Sequence, residues 1–137
     1  MQGKKILVVD DEAHITGVLS LKLVNAGFDV TTACDGEEAL EIVEGNLPDM
    51  IITDLQMPYL SGIDLATRLK ASERTAGIPV LMLTARGYAL SAEDLAATNI
   101  KEVLSKPFSP RHILARVQEL LGEASGDPTG GGQAEAA

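Results

Sequence analysis

The sequence predicts an α/β fold: a five-stranded parallel sheet with helices on both faces. Three observations carry that prediction. Short apolar runs rich in β-branched residues alternate strictly with segments of helical periodicity, five times over, and that order gives parallel strands joined by right-handed crossovers. The clearest of these runs are continuously apolar, as strands buried on both faces should be. The chain has 137 residues, 45% of them apolar and 23% charged, which suits one domain with a packed core and argues against a second folded domain.

The first run, KKILVVD at residues 4–10, is too short for a buried helix and reads as a central strand closed by the acids Asp10, Asp11 and Glu12. Ile15, Val18, Leu19 and Leu23 then recur at helical spacing, and Gly27 stands where a helix C-cap is expected. A short strand over residues 29–33 follows. Asp35 and Glu38 have capping-box spacing ahead of a helix that reaches about Val43, and Pro48 ends the connection. Residues 49–53, DMIIT, form a third strand that stops at Asp54. The proline- and glycine-bearing loop LQMPYLSG leads into a helix from Gly62, with Ser61 and Asp64 repeating the capping spacing.

The fourth strand spans residues 78–83 and runs into Thr84, with Pro79 tolerable only near its start. Its helix begins after Ser91, with Asp94 at the capping-box position. A brief fifth strand covers residues 102–105. The final helix has Ser109 as N-cap, Pro110 in its first position, and Ile113, Val117 and either Leu120 or Leu121 on one face. These elements place the domain at residues 1–121. The remaining stretch, GEASGDPTGGGQAEAA at 122–137, reads as a flexible glycine-rich tail, neither strand nor helix.

Net charge is −9, and the longest cationic cluster is Lys4-Lys5. Direct contact with nucleic acid or an anionic membrane is therefore disfavoured, because both begin with phosphate neutralisation. No apolar run approaches the ~20 residues of a membrane-spanning helix, and the N-terminus lacks a signal-peptide core, so the cytoplasm is the expected location.

In open parallel sheets the working site lies at the C-terminal ends of the strands. Asp10 and Asp11 end the first strand, Asp54 the third and Thr84 the fourth, and Lys106 follows the fifth. Two unit charges ~4 Å apart repel by roughly 4 kcal/mol at an effective dielectric of 20, so three converging carboxylates need compensation. Either one stays protonated or a hard divalent cation sits among them; Mg²⁺ fits best, with Mn²⁺ as the substitute. An aspartate beside such an ion, a lysine and a hydroxyl can attack phosphorus and become an acyl phosphate. Asp54 is then the nucleophile, Asp10 and Asp11 hold the metal, and Thr84 and Lys106 contact phosphoryl oxygens.

The segments ILVVDDE, DMIITDLQMPYLSG, VLMLTA and LSKPF stand in the order and spacing of the receiver domains of two-component signalling, which the chain resembles over about residues 4–121. The resemblance implies the flavodoxin-like strand order 2-1-3-4-5 and a cis bond between Lys106 and Pro107. It implies that Asp11, Asp54 and the backbone carbonyl of Gln56 bind the metal directly, with Asp10 acting through water. A histidine kinase or phosphotransfer protein would be the phosphodonor, and an unidentified protein would receive the signal. The protein would catalyse only its own phosphorylation and dephosphorylation. Two other readings are a pseudo-receiver that binds partners regardless of phosphate, and a phosphatase with an aspartyl intermediate. The complete site argues against the first, and Gln56, where such phosphatases place a second acid, argues against the other.

One position departs from the family pattern: Val103 replaces the usual tyrosine or phenylalanine three residues before the lysine. Tyr88 offers an alternative aromatic lever, although a partly exposed loop tyrosine is the simpler reading. Gln56 and Arg86 are placed to tune phosphoryl lifetime, and Ala85 is small enough to leave the donor a path. His14 and His112 lack metal-ligand spacing and read as surface residues, and the lone Cys34 reads as a small packed residue. Glu37, Glu38, Glu41 and Glu44 make a solvated helix face.

Overall fold

A computed structural model of the protein describes residues 3–84 and 90–125. Its elements alternate throughout: β1 (Lys5–Val9), α1 (Ala13–Asn25), β2 (Asp29–Ala33), α2 (Gly36–Gly45), β3 (Met50–Asp54), α3 (Gly62–Lys70), β4 (Val80–Thr84), α4 (Ala92–Ala96), β5 (Ile100–Ser105) and α5 (Pro110–Ser125). The strands form one sheet in the order β2-β1-β3-β4-β5, and every pairing is parallel.

Period-two alternation sends side chains of each strand to opposite faces, so two apolar layers form. Ile6, Val8, Met50, Ile52, Leu81 and Leu83 meet Leu19 and Leu23 of α1 and Ile113, Val117 and Leu121 of α5. Leu7, Val9, Ile51, Val80 and Met82 meet Ala39 and Val43 of α2 and Leu65, Ala66 and Leu69 of α3. The central strands β3 and β4 are buried along their whole length, as the uninterrupted apolar runs require. Of the two candidates on α5, Leu121 is the buried one and Leu120 only packs from the side.

The helix starts follow their capping residues. Ser61 and Asp64 form a complete capping box on α3, and Ser91 Oγ accepts a hydrogen bond from the Asp94 N–H at 3.0 Å. On α2, Asp35 accepts from the Glu38 N–H at 2.8 Å, but Glu38 reaches one residue beyond the expected return and accepts from the Cys34 N–H, also at 2.8 Å. Gly27 adopts φ +101° after α1, a conformation open chiefly to glycine. Arg116 on α5 bonds Glu102 on β5 through Nε and Nη2, both at 2.6 Å, tying the edge strand to its following helix.

Five expectations need correction. Strand β4 starts at Val80 and not at residue 78, which leaves Pro79 just outside it. Helix α5 continues to Ser125, four residues past the expected boundary, because one glycine costs only about 1 kcal/mol in a helix and Glu123 and Ala124 favour continuation; residues 126–137 lie outside the described ones. Strand β5 starts at Ile100, since Ile100 pairs with Val80 before a register shift at Lys101. Val18 is 43% exposed, and together with Leu21 and Val24 it gives α1 an apolar outer stripe. Cys34 is exposed, having just left the edge strand β2.

Within the β3–α3 loop Tyr59 stands 90% exposed at φ +69°. A left-handed backbone costs a residue other than glycine about 1–2 kcal/mol, and asparagine tolerates it better. Tyr59→Asn should therefore stabilise the domain by about 0.5–1 kcal/mol, read from urea unfolding; an unchanged or lower midpoint would contradict the strain.

Candidate functional site

The sheet order places β1, β3 and β4 side by side, so their last residues share one edge. Asp10 follows Val9, which pairs with Thr53, and Asp54 pairs with Leu83 just before Thr84. The Lys106 N–H donates to the Thr84 carbonyl at 2.7 Å, which brings the end of β5 to the same place. The Lys106-Pro107 peptide is cis.

These placements gather the predicted polar residues. Carboxylate oxygens of Asp10, Asp11 and Asp54 all lie within 4.8 Å of one another, with Asp10 and Asp54 buried and Asp11 exposed. The Lys106 ammonium stands 3.0 Å from Asp54 Oδ1, 3.5 Å from Asp10 Oδ2 and 3.8 Å from Glu12 Oε1. Asp10 Oδ1 also accepts from the Glu12 N–H at 2.9 Å. At the end of β4 the buried Thr84 hydroxyl has no hydrogen-bond partner among the described residues. A buried hydroxyl without a partner is costly, so this one is available to an incoming oxygen.

Burial dominates the electrostatics. It raises the Asp54 pKa above the usual carboxylate range; Lys106 pulls it back, and Asp11 and Glu12 push it further up. Burial also raises Asp10, against the hydrogen bond from Glu12 and with added repulsion from Asp54. For Lys106 burial opposes the charge, but the hydrogen bond to Asp54 and the fields of Asp10, Asp54 and Glu12 outweigh it and leave its pKa raised. A compact cation among these three acids would relieve their repulsion, and an all-oxygen, carboxylate-rich donor set suits a hard divalent ion.

Gln56 is exposed and lines an open cleft of about 600 Å³ with Asp11, Met57 and Pro58. Val103 lies on β5 opposite Met82, half-buried against the layer that packs α2 and α3. Ala85, Arg86 and Tyr88 fall outside the described residues. His14 and His112 are exposed, and His14 borders a groove of about 590 Å³ with Ile15, Val18, Lys106 and Phe108. Cys34 keeps its proton, because the neighbouring carboxylates, Glu38 foremost, raise the thiol pKa. Sequence reasoning did not find the contact of Glu12 with Lys106. Its signal was the third acid of the run Asp10-Asp11-Glu12.

Comparison with known proteins decides the family, since the model of the response regulator receiver domain matches residues 6–118. The chain belongs to the response regulator receiver family. Among its relatives, the phosphate regulon transcriptional regulatory protein PhoB of Pseudomonas aeruginosa is 38% identical over 99% of this chain and 57% of the relative. The alkaline phosphatase synthesis transcriptional regulatory protein PhoP of Bacillus subtilis is 42% identical over 87% of this chain and 49% of its own. This receiver thus spans about half the length of such relatives.

Solved structures agree on the fold. The chemotaxis protein CheY4 of Vibrio cholerae superposes with a TM-score of 0.79 at 32% identity, covering 85% of this chain and 98% of that one. TrrA of Thermotoga maritima, in complex with Mg²⁺-BeF, superposes with a TM-score of 0.75 at 32% identity, over 85% of this receiver and 98% of TrrA.

Proposed function

We propose that Asp54 is the phosphoacceptor of this receiver, taking its phosphoryl group from the phosphohistidine of a histidine kinase or phosphotransfer protein, or from a small acyl phosphate. The observation that carries this is the buried Asp54 carboxylate, 3.0 Å from Lys106 and beside two further acids. Asp54 attacks phosphorus; the new P–O bond forms as the P–N bond breaks, and the imidazole leaves with the electron pair. Lys106 follows the charge onto a phosphoryl oxygen, and the Thr84 hydroxyl donates to another.

Asp10, Asp11, Asp54 and the Gln56 backbone carbonyl would hold Mg²⁺, or Mn²⁺ in its place. Bound there, the ion would neutralise the acids and draw charge from the phosphoryl oxygens. TrrA, a structural relative, binds Mg²⁺ with a phosphoryl-like beryllium fluoride, which supports the assignment. The apolar groove beside Lys106 gives a protein donor a surface next to the acceptor.

The residues described would signal through protein contacts; their acidity disfavours direct contact with nucleic acid. No helix among them is long and apolar enough to cross a membrane, and we place the receiver in the cytoplasm. Val103, Gln56, Ala85, Arg86 and Tyr88 are proposed to tune phosphoryl lifetime and readout.

Incubation with acetyl phosphate and Mg²⁺ should add one phosphoryl mass, and a chelator should prevent it. No adduct with acetyl phosphate or a phosphohistidine donor would point to a binding module indifferent to phosphate. Multiple turnover of a phosphate ester would point to a phosphatase.

A further inference from the structure

We propose that Glu12 is a positioning residue for Lys106, the counter-ion that keeps the ammonium over Asp54 when a divalent cation shares the site. The inference rests on the metal-dependent reading above. Glu12 occupies the N-cap of α1, a position that favours short polar side chains able to cap the helix, yet its side chain makes no capping hydrogen bond. Its carboxylate turns instead to Lys106, at 3.8 Å. Its backbone N–H meanwhile holds Asp10 Oδ1 at 2.9 Å, leaving Asp10 Oδ2 to face the same ammonium.

The charges explain why such a residue is needed. Without a cation, Lys106 is shared among Asp54, Asp10 and Glu12. Asp10, Asp11 and Asp54 are the acids that converge on the metal position, and Glu12 is not one of them. A divalent ion therefore competes for two of the three partners of Lys106 and repels the ammonium itself. Glu12 alone keeps its full attraction. The Lys106 side chain is 26% exposed, so it has a way out to solvent. With Glu12 present, the cation's arrival moves Lys106 from one acid to another; without Glu12, it drives the ammonium outward. Lys106 thus stays within reach of a phosphoryl oxygen as it arrives.

An exposed ion pair is usually weak, and a negative charge near a metal would strengthen binding by its field alone. The two accounts separate in a double-mutant cycle on Mg²⁺ binding, measured by calorimetry at fixed ionic strength for the parent, Glu12→Gln, Lys106→Met and the double variant. Glu12→Gln is expected to weaken Mg²⁺ binding about fivefold with Lys106 present and less than twofold with methionine at 106. With Mg²⁺ bound, the Lys106 Cε and Hε resonances should move to free-lysine positions in Glu12→Gln and return part-way in Glu12→Asp. Equal weakening in both backgrounds, or Lys106 resonances that do not respond to Glu12→Gln, would overturn the proposal while leaving the metal site intact. A parent that binds no Mg²⁺ would remove both.

Discussion

Asp54→Asn is expected to abolish the phosphoryl adduct and, in the absence of divalent ions, to make the domain more stable. The first effect follows from the loss of the carboxylate nucleophile. The second follows from burial: a raised pKa means that the ionised carboxyl fares worse in the fold than in the unfolded chain, despite Lys106. Asparagine keeps the shape without the charge. The gain should appear at neutral pH as a Tm higher than that of the parent.

The sign of the pH dependence is fixed. Because the folded state binds the Asp54 proton more tightly than the unfolded chain, the parent loses stability relative to the variant as pH rises from the ordinary value of 3.8 through the raised folded value. The advantage of Asp54→Asn should therefore be small in acid and reach a plateau above that range. Added Mg²⁺ should reverse the order, stabilising the parent by about 2.7 kcal/mol at a hundredfold excess over its Kd. Urea melts in chelator across pH would test this; a variant less stable than the parent at pH 7 would show that Lys106 outweighs burial.

Gly62→Ala should be the most damaging small substitution near the site. A Cβ at this position would stand 2.4 Å from the Asp54 carbonyl oxygen, 2.8 Å from Met82 Sδ and 3.0 Å from Leu55 Cα. Two of those atoms are backbone of the acceptor segment, and the Gly62 N–H already donates to the Leu55 carbonyl at 2.8 Å. Relief requires moving Asp54 itself. The cost should reach about 3 kcal/mol, with phosphoryl acceptance falling alongside. Gly36→Ala is the control, since the nearest atoms its Cβ would meet are Cδ2, Cβ and Cγ of Leu60, at 2.7, 2.9 and 3.0 Å, and none of them belongs to Asp54 or its neighbours in the chain. A loss of about 1–2 kcal/mol with acceptance retained is expected there. Equal losses of stability and acceptance in the two variants would refute the distinction.

The fold was legible because its signals are local. The uninterrupted runs ILVV and MIIT mark strands buried on both faces, and Ser61, Ser91 and Ser109 mark helix starts within hydrogen-bonding reach of their own chains. The candidate site was legible because a parallel sheet brings its strand ends together, whatever the sequence distance between Asp10 and Lys106. Where local patterning gave out, the cause was tertiary. Val18 fits the helical apolar spacing, yet the face it shares with Leu21 and Val24 finds no cover among the described residues. The notch at Gly36 depends on Leu60, and the contact between Glu12 and Lys106 depends on how far two side chains reach.

The exposed Cys34 makes the receiver ready for spectroscopic probes without engineering. It is the chain's single cysteine, just past the C-terminal end of the edge strand β2, the end of the sheet that carries Asp54. A maleimide fluorophore or a spin label would therefore attach at one defined place. Glu38 keeps the thiol protonated, so conjugation will be slow at neutral pH and will quicken in mild alkali. The same hydrogen-bonded turn that starts α2 thus sets the working conditions for watching donor binding in real time.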